Sequence, residues 1–237
     1  SNRRRFIDLE ISKISPIYVF NLSKYNGLLK ERNKYLKVLN QRNQDCDEYL
    51  EVLDEQLAKL QVELIKKRLD FIKKLDDKVN LIYQKIAKRE SEKIRLRYSC
   101  FIKEKLTYEN ILSLYKKNHH RDVQYMKSHL GIHKDDLKIY MNENLADLFA
   151  SQGQQRTIVL SLKIALIDLI KDEIGEYPIL LLDDVLSELD QTRKNMLLDI
   201  LNQKIQTFIT TTSIDGINHQ IVEKAKKIYI ESGKEAT

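Results

Sequence analysis

The stretch Tyr177–Leu197, YPILLLDDVLSELDQTRKNML, decides the fold. Within it Ile179, Leu180, Leu181 and Leu182 run without a break into Asp183 and Asp184. An unbroken apolar run over Tyr177–Asp183 predicts a strand buried on both faces, and Thr192–Asn202 follows it as a helix. Two carboxylates then stand at the C-terminal end of a buried strand, where open α/β sheets bind their ligands. In nucleotide hydrolases one acid at that place holds Mg²⁺, directly or through water, and a second orients or deprotonates the attacking water. The plainer alternative makes Asp183 a turn cap and Asp184 a solvated charge.

Outward from this stretch, strands and helices alternate. Leu137–Met141 reads as a strand and Gln154–Lys171 as an apolar helix; Thr207–Thr211, Asn218–Ala225 and Lys227–Glu231 follow as strand, helix and strand. Continuous apolar strands separated by helices predict a parallel sheet covered on both faces. SQGQQR, Ser151–Arg156, stands directly before the apolar helix. Ser151 is placed to cap it, Gly153 lets a ligand come close to the backbone, and the exposed N–H groups of a helix start suit a phosphate.

Upstream of Gly131 the character changes. Residues 1–130 hold 29 Lys and Arg against 18 Asp and Glu, and residues 131–237 hold 12 against 17, so a net +11 meets a net −5. The basic half suits a polyanion, and equally a solvated helical surface. It has no Gly or Pro between Gly27 and Gly131, which predicts long helices. One helix spans about Pro16–Asn43 with Tyr18, Tyr25, Leu29, Leu36 and Leu39 inward. A longer one carries Leu50, Leu53, Leu57, Leu60 and Leu64, then Phe71, Leu75, Val79, Ile82 and Ile86, and the two pack as an antiparallel hairpin. IRLRYS, from Ile94, alternates as a half-buried strand, and Glu109–Leu130 returns to helix. His119 and His120, beside Lys116 and Lys117, read as surface residues.

Several classes drop out. No run approaches 18 uncharged apolar residues and SNRRRF lacks the core of a signal peptide, so a cytoplasmic protein is expected. Cys46 and Cys100 form no CxxC pair and the five histidines have no cysteine partners at zinc spacing.

Together SQGQQR, LLLDDVLSELD and TFITTTS (Thr207–Ser213) resemble the signature, Walker B with D-loop, and switch segments of an ABC-type ATPase head. RRRFIDLEIS (Arg3–Ser12), YNGLLKERNKYLK (Tyr25–Lys37) and GIHKDD (Gly131–Asp136) narrow the resemblance to the RecF family of bacterial DNA replication and repair proteins. The fold so implied is α/β, a partial ABC-type head with a parallel sheet and flanking helices, plus an elongated, coiled-coil-like arm. Residues 1–12 would be a strand or edge segment of the head, 13–130 the arm, and 131–237 the C-terminal part of the head.

The resemblance also assigns roles. Asp183 would be the Mg²⁺ ligand and Asp184 the water-activating acid. Ser151, Gln152, Gly153, Gln154 and Gln155 would meet the γ-phosphate of ATP held by the other subunit of an ATP-dependent homodimer. One of Thr210, Thr211 and Thr212 would sense that phosphate, and Ser187, Glu188, Leu189 and Asp190 would border the interface as the D-loop. The arm would clasp double-stranded DNA at gap junctions, with Lys66, Lys67, Arg68, Lys73, Lys74, Arg95 and Arg97 as candidate contacts, and the partners would be RecR and, indirectly, RecO.

The chain departs from the pattern in places. Asp184 stands where most ABC ATPases have Glu, threonines stand where many have His, and Ile132 and Lys134 replace the Pro and Arg of GPHRDD. No GxxxxGK[ST] occurs in the 237 residues, so the chain resembles the C-terminal two thirds or so of such a protein and is expected to lack ATPase activity by itself. Two alternatives stay open: a chromosome-maintenance type ATPase head with a shortened coiled coil, and a non-enzymatic helical scaffold.

Overall fold

The computed structural model describes residues 1–186, 189–201, 205–212, 223–231 and 234–236. Its first element corrects the strand expected over residues 1–12: Asn2–Ile14 is a helix, α1. Ile7, Leu9 and Ile11 alternate as in a strand, but Ile7 and Ile11 also stand one helical turn apart, and both are buried while Leu9 is 52% exposed. Ser1 caps the helix by accepting from Arg4 N.

Ser15 and Pro16 then start α2 (Pro16–Gln41), an N-cap followed by a residue that needs no N–H partner. α3 (Glu48–Ala87) runs 40 residues, about 60 Å at the rise of an α-helix. Asp47 caps it and Lys88, in the left-handed region at φ 53°, ends it. The expected apolar stripe is its inner face, and α2 packs against it as the hairpin requires. α4 (Tyr108–Gln124), capped by Thr107, closes the arm and stops short of the expected Leu130. Leu36, Leu39, Leu50 and Val123 form a separate small core at the hairpin turn.

β1 (Ile94–Ser99) pairs antiparallel with β2 (Asp136–Met141), and β2 with β3 (Asn144–Leu145). Asn142 and Glu143 both have positive φ, as the twist of a two-residue hairpin demands. The outer edge of β1 is satisfied by α3: Asn80 and Asp76 accept from the backbone N–H of Ile94 and Leu96. Since β1 comes from the basic half and β2 from the acidic half, the compositional break at Gly131 is not a break in the core. Gly131 itself, at φ 132°, admits no side chain, for a Cβ would lie 2.6 Å from Tyr25 Oη.

After the short helix α5 (Ala146–Phe149) comes α6 (Gln152–Ile174), ended by Gly175 at φ 89°. β4 (Leu180–Asp183), α7 (Gln191–Leu201) and β5 (Thr207–Thr210) follow, then the hairpin of β6 (Tyr229–Glu231) and β7 (Lys234–Ala236). Among the described residues β4 and β5 pair in parallel, as the alternation predicts, whereas the strands expected over Leu137–Met141 and Lys227–Glu231 pair antiparallel, with β1 and with β7. β4 is not covered on both faces: Leu182 is buried, whereas Leu181 and Phe208 are exposed by 73% and 55%. The expected helix Asn218–Ala225 lies largely outside the described residues. No helix of the described residues is long and apolar enough to cross a membrane.

Candidate nucleotide site

Strand register brings the acid pair to a hydroxyl. β4 and β5 align Asp183 with Thr210, and Thr210 Oγ1 donates to Asp183 Oδ1 at 2.5 Å. The next residue, Asp184, leaves the strand in the left-handed region at φ 49°, which Asp tolerates better than most side chains. Its backbone N–H reaches back to Thr210, 3.1 Å from the carbonyl oxygen and 3.2 Å from Oγ1. Thr210 thereby holds both acids, one by side chain and one by backbone. Asp183 and Asp184 are both exposed at the strand end.

Ser151 to Gln155 form a different cluster, at the N-terminus of α6. Ser151 Oγ accepts from Gln154 N at 3.3 Å, and Gln154 Oε1 accepts from Ser151 N at 2.8 Å, a complete capping box. Gln155 Nε2 donates to the carbonyls of Ala146 and Ala150 and anchors the preceding turn. A Cβ added at Gly153 would meet nothing within 4 Å, so the helix start is open to a ligand on that side. Gln152, like Ser151, is exposed. Open N–H groups and the positive end of a 23-residue helix dipole make this an anion-accepting surface.

No family profile matches the chain. Over 99% of its length it is 42% identical to the DNA replication and repair protein RecF of Geobacillus thermodenitrificans (strain NG80-2). It is 43% identical to that of Staphylococcus carnosus (strain TM300) over 98% of its length. A solved structure of the recombination mediator protein RecF with ATP superimposes with a TM-score of 0.80 at 33% identity, covering 90% of this chain. This chain is homologous to RecF. It spans 64% of the length of both sequence relatives and 58% of the solved RecF chain. The solved RecF with ATPrS agrees, with a TM-score of 0.81 at 34% identity.

Of the remaining positions singled out by the RecF resemblance, Ser187 and Glu188 lie outside the described residues. Leu189 is buried, and Asp190 accepts from Arg193 N at 2.9 Å at the start of α7. Thr211 and Thr212 follow β5 beyond its paired register, and Thr210 stands directly beside Asp183.

The DNA candidates divide sharply. Arg68 is 1% exposed and cannot meet a phosphate backbone. It donates to Asp8, Tyr18, Tyr98 and the Ile132 carbonyl, and so ties α1, α2, β1 and the Gly131 turn to α3. Its place four residues after Leu64 and three before Phe71 sets it within the apolar stripe, a signal the basic cluster around it obscured. Lys74 is held by Glu173 at 2.6 Å and by Asp70, Arg95 faces Asp76, and Arg97 lies over Tyr140 near Glu143. Lys66, Lys67 and Lys73 are exposed on α3, and Lys67 and Lys73 form no ion pair with a described residue.

His119 is likewise corrected from a surface residue to a buried one. It follows Ile111 and Tyr115 at four-residue spacing on the inner face of α4, and its Nε2 lies 2.6 Å from Asp54 Oδ2. Asp54 in turn accepts from Arg32, which also donates to Asp122 and Ser128 with no exposure of its own. This network locks α2, α3 and α4 together. His120 is exposed, near Asp45, as expected. Glu92, which no local pattern marks, joins the start of α6 to the end of α3.

Proposed function

We propose that the chain supplies the signature, Walker B and switch segments of a RecF-type ATPase that acts on DNA in repair and recombination. The observation that carries this reading is the bond between Thr210 Oγ1 and Asp183, which gives an acid pair at a parallel strand end a hydroxyl neighbour on the adjacent strand. Asp183 would bind Mg²⁺ together with the phosphates of ATP, and Asp184 would orient or deprotonate the attacking water. The donor set suits that ion, since Mg²⁺ is commonly held by one or two carboxylates and completed by phosphate oxygens and water. Ser151, Gly153 and Gln154 would receive the γ-phosphate bound by a second subunit, so that ATP closes a homodimer and slow hydrolysis opens it.

The lysines on α3 would engage the duplex beside a gap, with RecR and, through it, RecO as partners in loading recombinase in the cytoplasm. The exposed Leu181 and Phe208 give β4 and β5 an apolar face on which the P-loop lobe of the whole protein would pack. The test uses the full-length protein with its P-loop. Asp184→Asn, which keeps the left-handed turn, should slow hydrolysis yet preserve ATP-dependent dimers. Ser151→Arg should bind ATP and stay monomeric. Sedimentation with ATP and a phosphate-release assay separate the two, and identical behaviour of both variants refutes the assignment.

A further inference from the structure

Glu92 lies between the end of α3 and the start of β1, 8% exposed, and its carboxylate collects three side-chain donors. Tyr83 Oη, in the last turns of α3, donates to Oε2 at 2.5 Å. Arg89 Nη1 and Gln154 Nε2 donate to Oε1 at 2.8 and 2.9 Å. Burial alone would push the Glu92 carboxyl up, but the hydrogen bonds from Tyr83, Arg89 and Gln154 outweigh it and hold the group below the usual glutamate range. It is therefore an acceptor only, with no proton to give.

That restriction acts on Gln154. A primary amide has a donor end and an acceptor end, and an acceptor-only neighbour selects the NH₂ group. With Nε2 committed to Glu92, Oε1 faces the other way and accepts from Ser151 N at 2.8 Å, while Ser151 Oγ accepts from Gln154 N. Reversing the amide would lose both bonds at once. Tyr83, Glu92, Gln154 and Ser151 thus form a continuous chain of hydrogen bonds from the long helix of the arm to the first residue of the candidate γ-phosphate surface. The link from α3 to Glu92 is short in sequence too, with only Lys88 to Ser91 intervening, so rotation of the α3 end carries the carboxylate with it.

We infer that Glu92 is a positioning residue that makes the setting of Ser151 and Gln154 depend on the position of α3. The functional consequence rests on the reading of Ser151 as a γ-phosphate contact, whereas the coupling itself does not. It gives the arm a mechanical route to the nucleotide site: a polyanion that shifts α3 alters how the signature is presented.

Hydrogen exchange on the chain as it stands tests the coupling, compared across Glu92→Ala, Tyr83→Phe and the double variant. Loss of a buried bond to a charged group shifts a local opening equilibrium by about tenfold. Glu92→Ala should speed exchange of the amides of residues 153–157 by about that factor and leave α4 unchanged. Tyr83→Phe, whose lost hydroxyl makes no hydrogen bond to α6, should speed the same amides several-fold, and in the Glu92→Ala background it should add nothing. Wild-type exchange at 153–157 in Tyr83→Phe, or additive effects in the double variant, overturns the coupling. In the full-length protein with ATP, Glu92→Ala should weaken dimerisation about tenfold at unchanged ATP affinity, and full-strength dimers would overturn the functional consequence. A wild-type protein that never dimerises with ATP would refute the nucleotide reading instead, and the exchange result still decides the coupling.

Discussion

Thr210 Oγ1 donates to Asp183 Oδ1 across two parallel strands whose register sets the residues side by side. Valine keeps the β-branched shape of threonine and removes the hydroxyl, which donates to Asp183 and also accepts from Asp184 N, a backbone group that the Thr210 carbonyl still satisfies. Thr210→Val should therefore leave stability within about 0.5 kcal/mol, because the site is exposed. If the whole protein is the ATPase proposed above, the same substitution should lower its hydrolysis by roughly tenfold or more, and Thr210→Ser should restore most of it. Urea unfolding and phosphate release measure the two halves of this expectation.

Arg68 and its exposed neighbours should fail in opposite ways. Arg68→Ala leaves Asp8, Tyr18 and Tyr98 without their common partner and should cost about 3–5 kcal/mol, the range for breaking a buried ion pair. Lys67→Ala and Lys73→Ala should change stability by less than about 0.5 kcal/mol. If those lysines meet phosphates, each substitution lowers the slope of log affinity against log salt by about 1 for a labelled duplex. Unchanged slopes for both lysine variants would remove α3 from the DNA surface.

His133 supplies a pH dependence with a definite sign. Burial lowers its pKa from 6.5 to about 4, against an opposing pull from the Ser128 carbonyl that its ring faces. Tyr25 Oη lies 2.8 Å from Nδ1. The unfolded chain then binds a proton that the folded chain refuses, so stability falls as pH drops from about 6.5 and levels off below about 4. The loss reaches at most about 3 kcal/mol from this group. Urea titrations at pH 7 and pH 5 should show the fall, and His133→Asn should flatten it.

The chain alone should neither bind nor hydrolyse ATP measurably, since it holds Asp183 and Asp184 without a P-loop to bring the phosphates to them. It should instead self-associate through the open face at Leu181 and Phe208. Phe208→Glu should shift sedimentation toward monomer. Micromolar ATP binding with turnover by this chain, seen by isothermal titration, would show that the nucleotide site is elsewhere.

Much of this molecule is written in local pattern. The cap Ser151, the stripe from Leu50 to Ile86 and the run into Asp183 each depend on neighbours within a turn or a strand length, so spacing alone reveals them. The acid pair and the helix-start surface were legible for the same reason. What spacing could not settle was the choice among equally satisfactory partners. Ile7, Leu9 and Ile11 suit a strand or a helix until α2, α3 and β2 pack against α1, bury Ile7 and Ile11 and leave Leu9 in water. Three threonines follow one another after Ile209, and only the pairing of β4 with β5 places Thr210 beside Asp183. Arg68 and His119 carry polar side chains on apolar faces, and whether such a group is buried depends on partners such as Asp8 and Asp54, at least 60 residues away in sequence. Glu92 is a third case. Arg89 and Tyr83 stand three and nine residues before it, but Gln154 lies 62 residues on, and a partner that distant leaves no periodic trace in the chain, because hydrogen bonds between elements form only when packing brings the elements together.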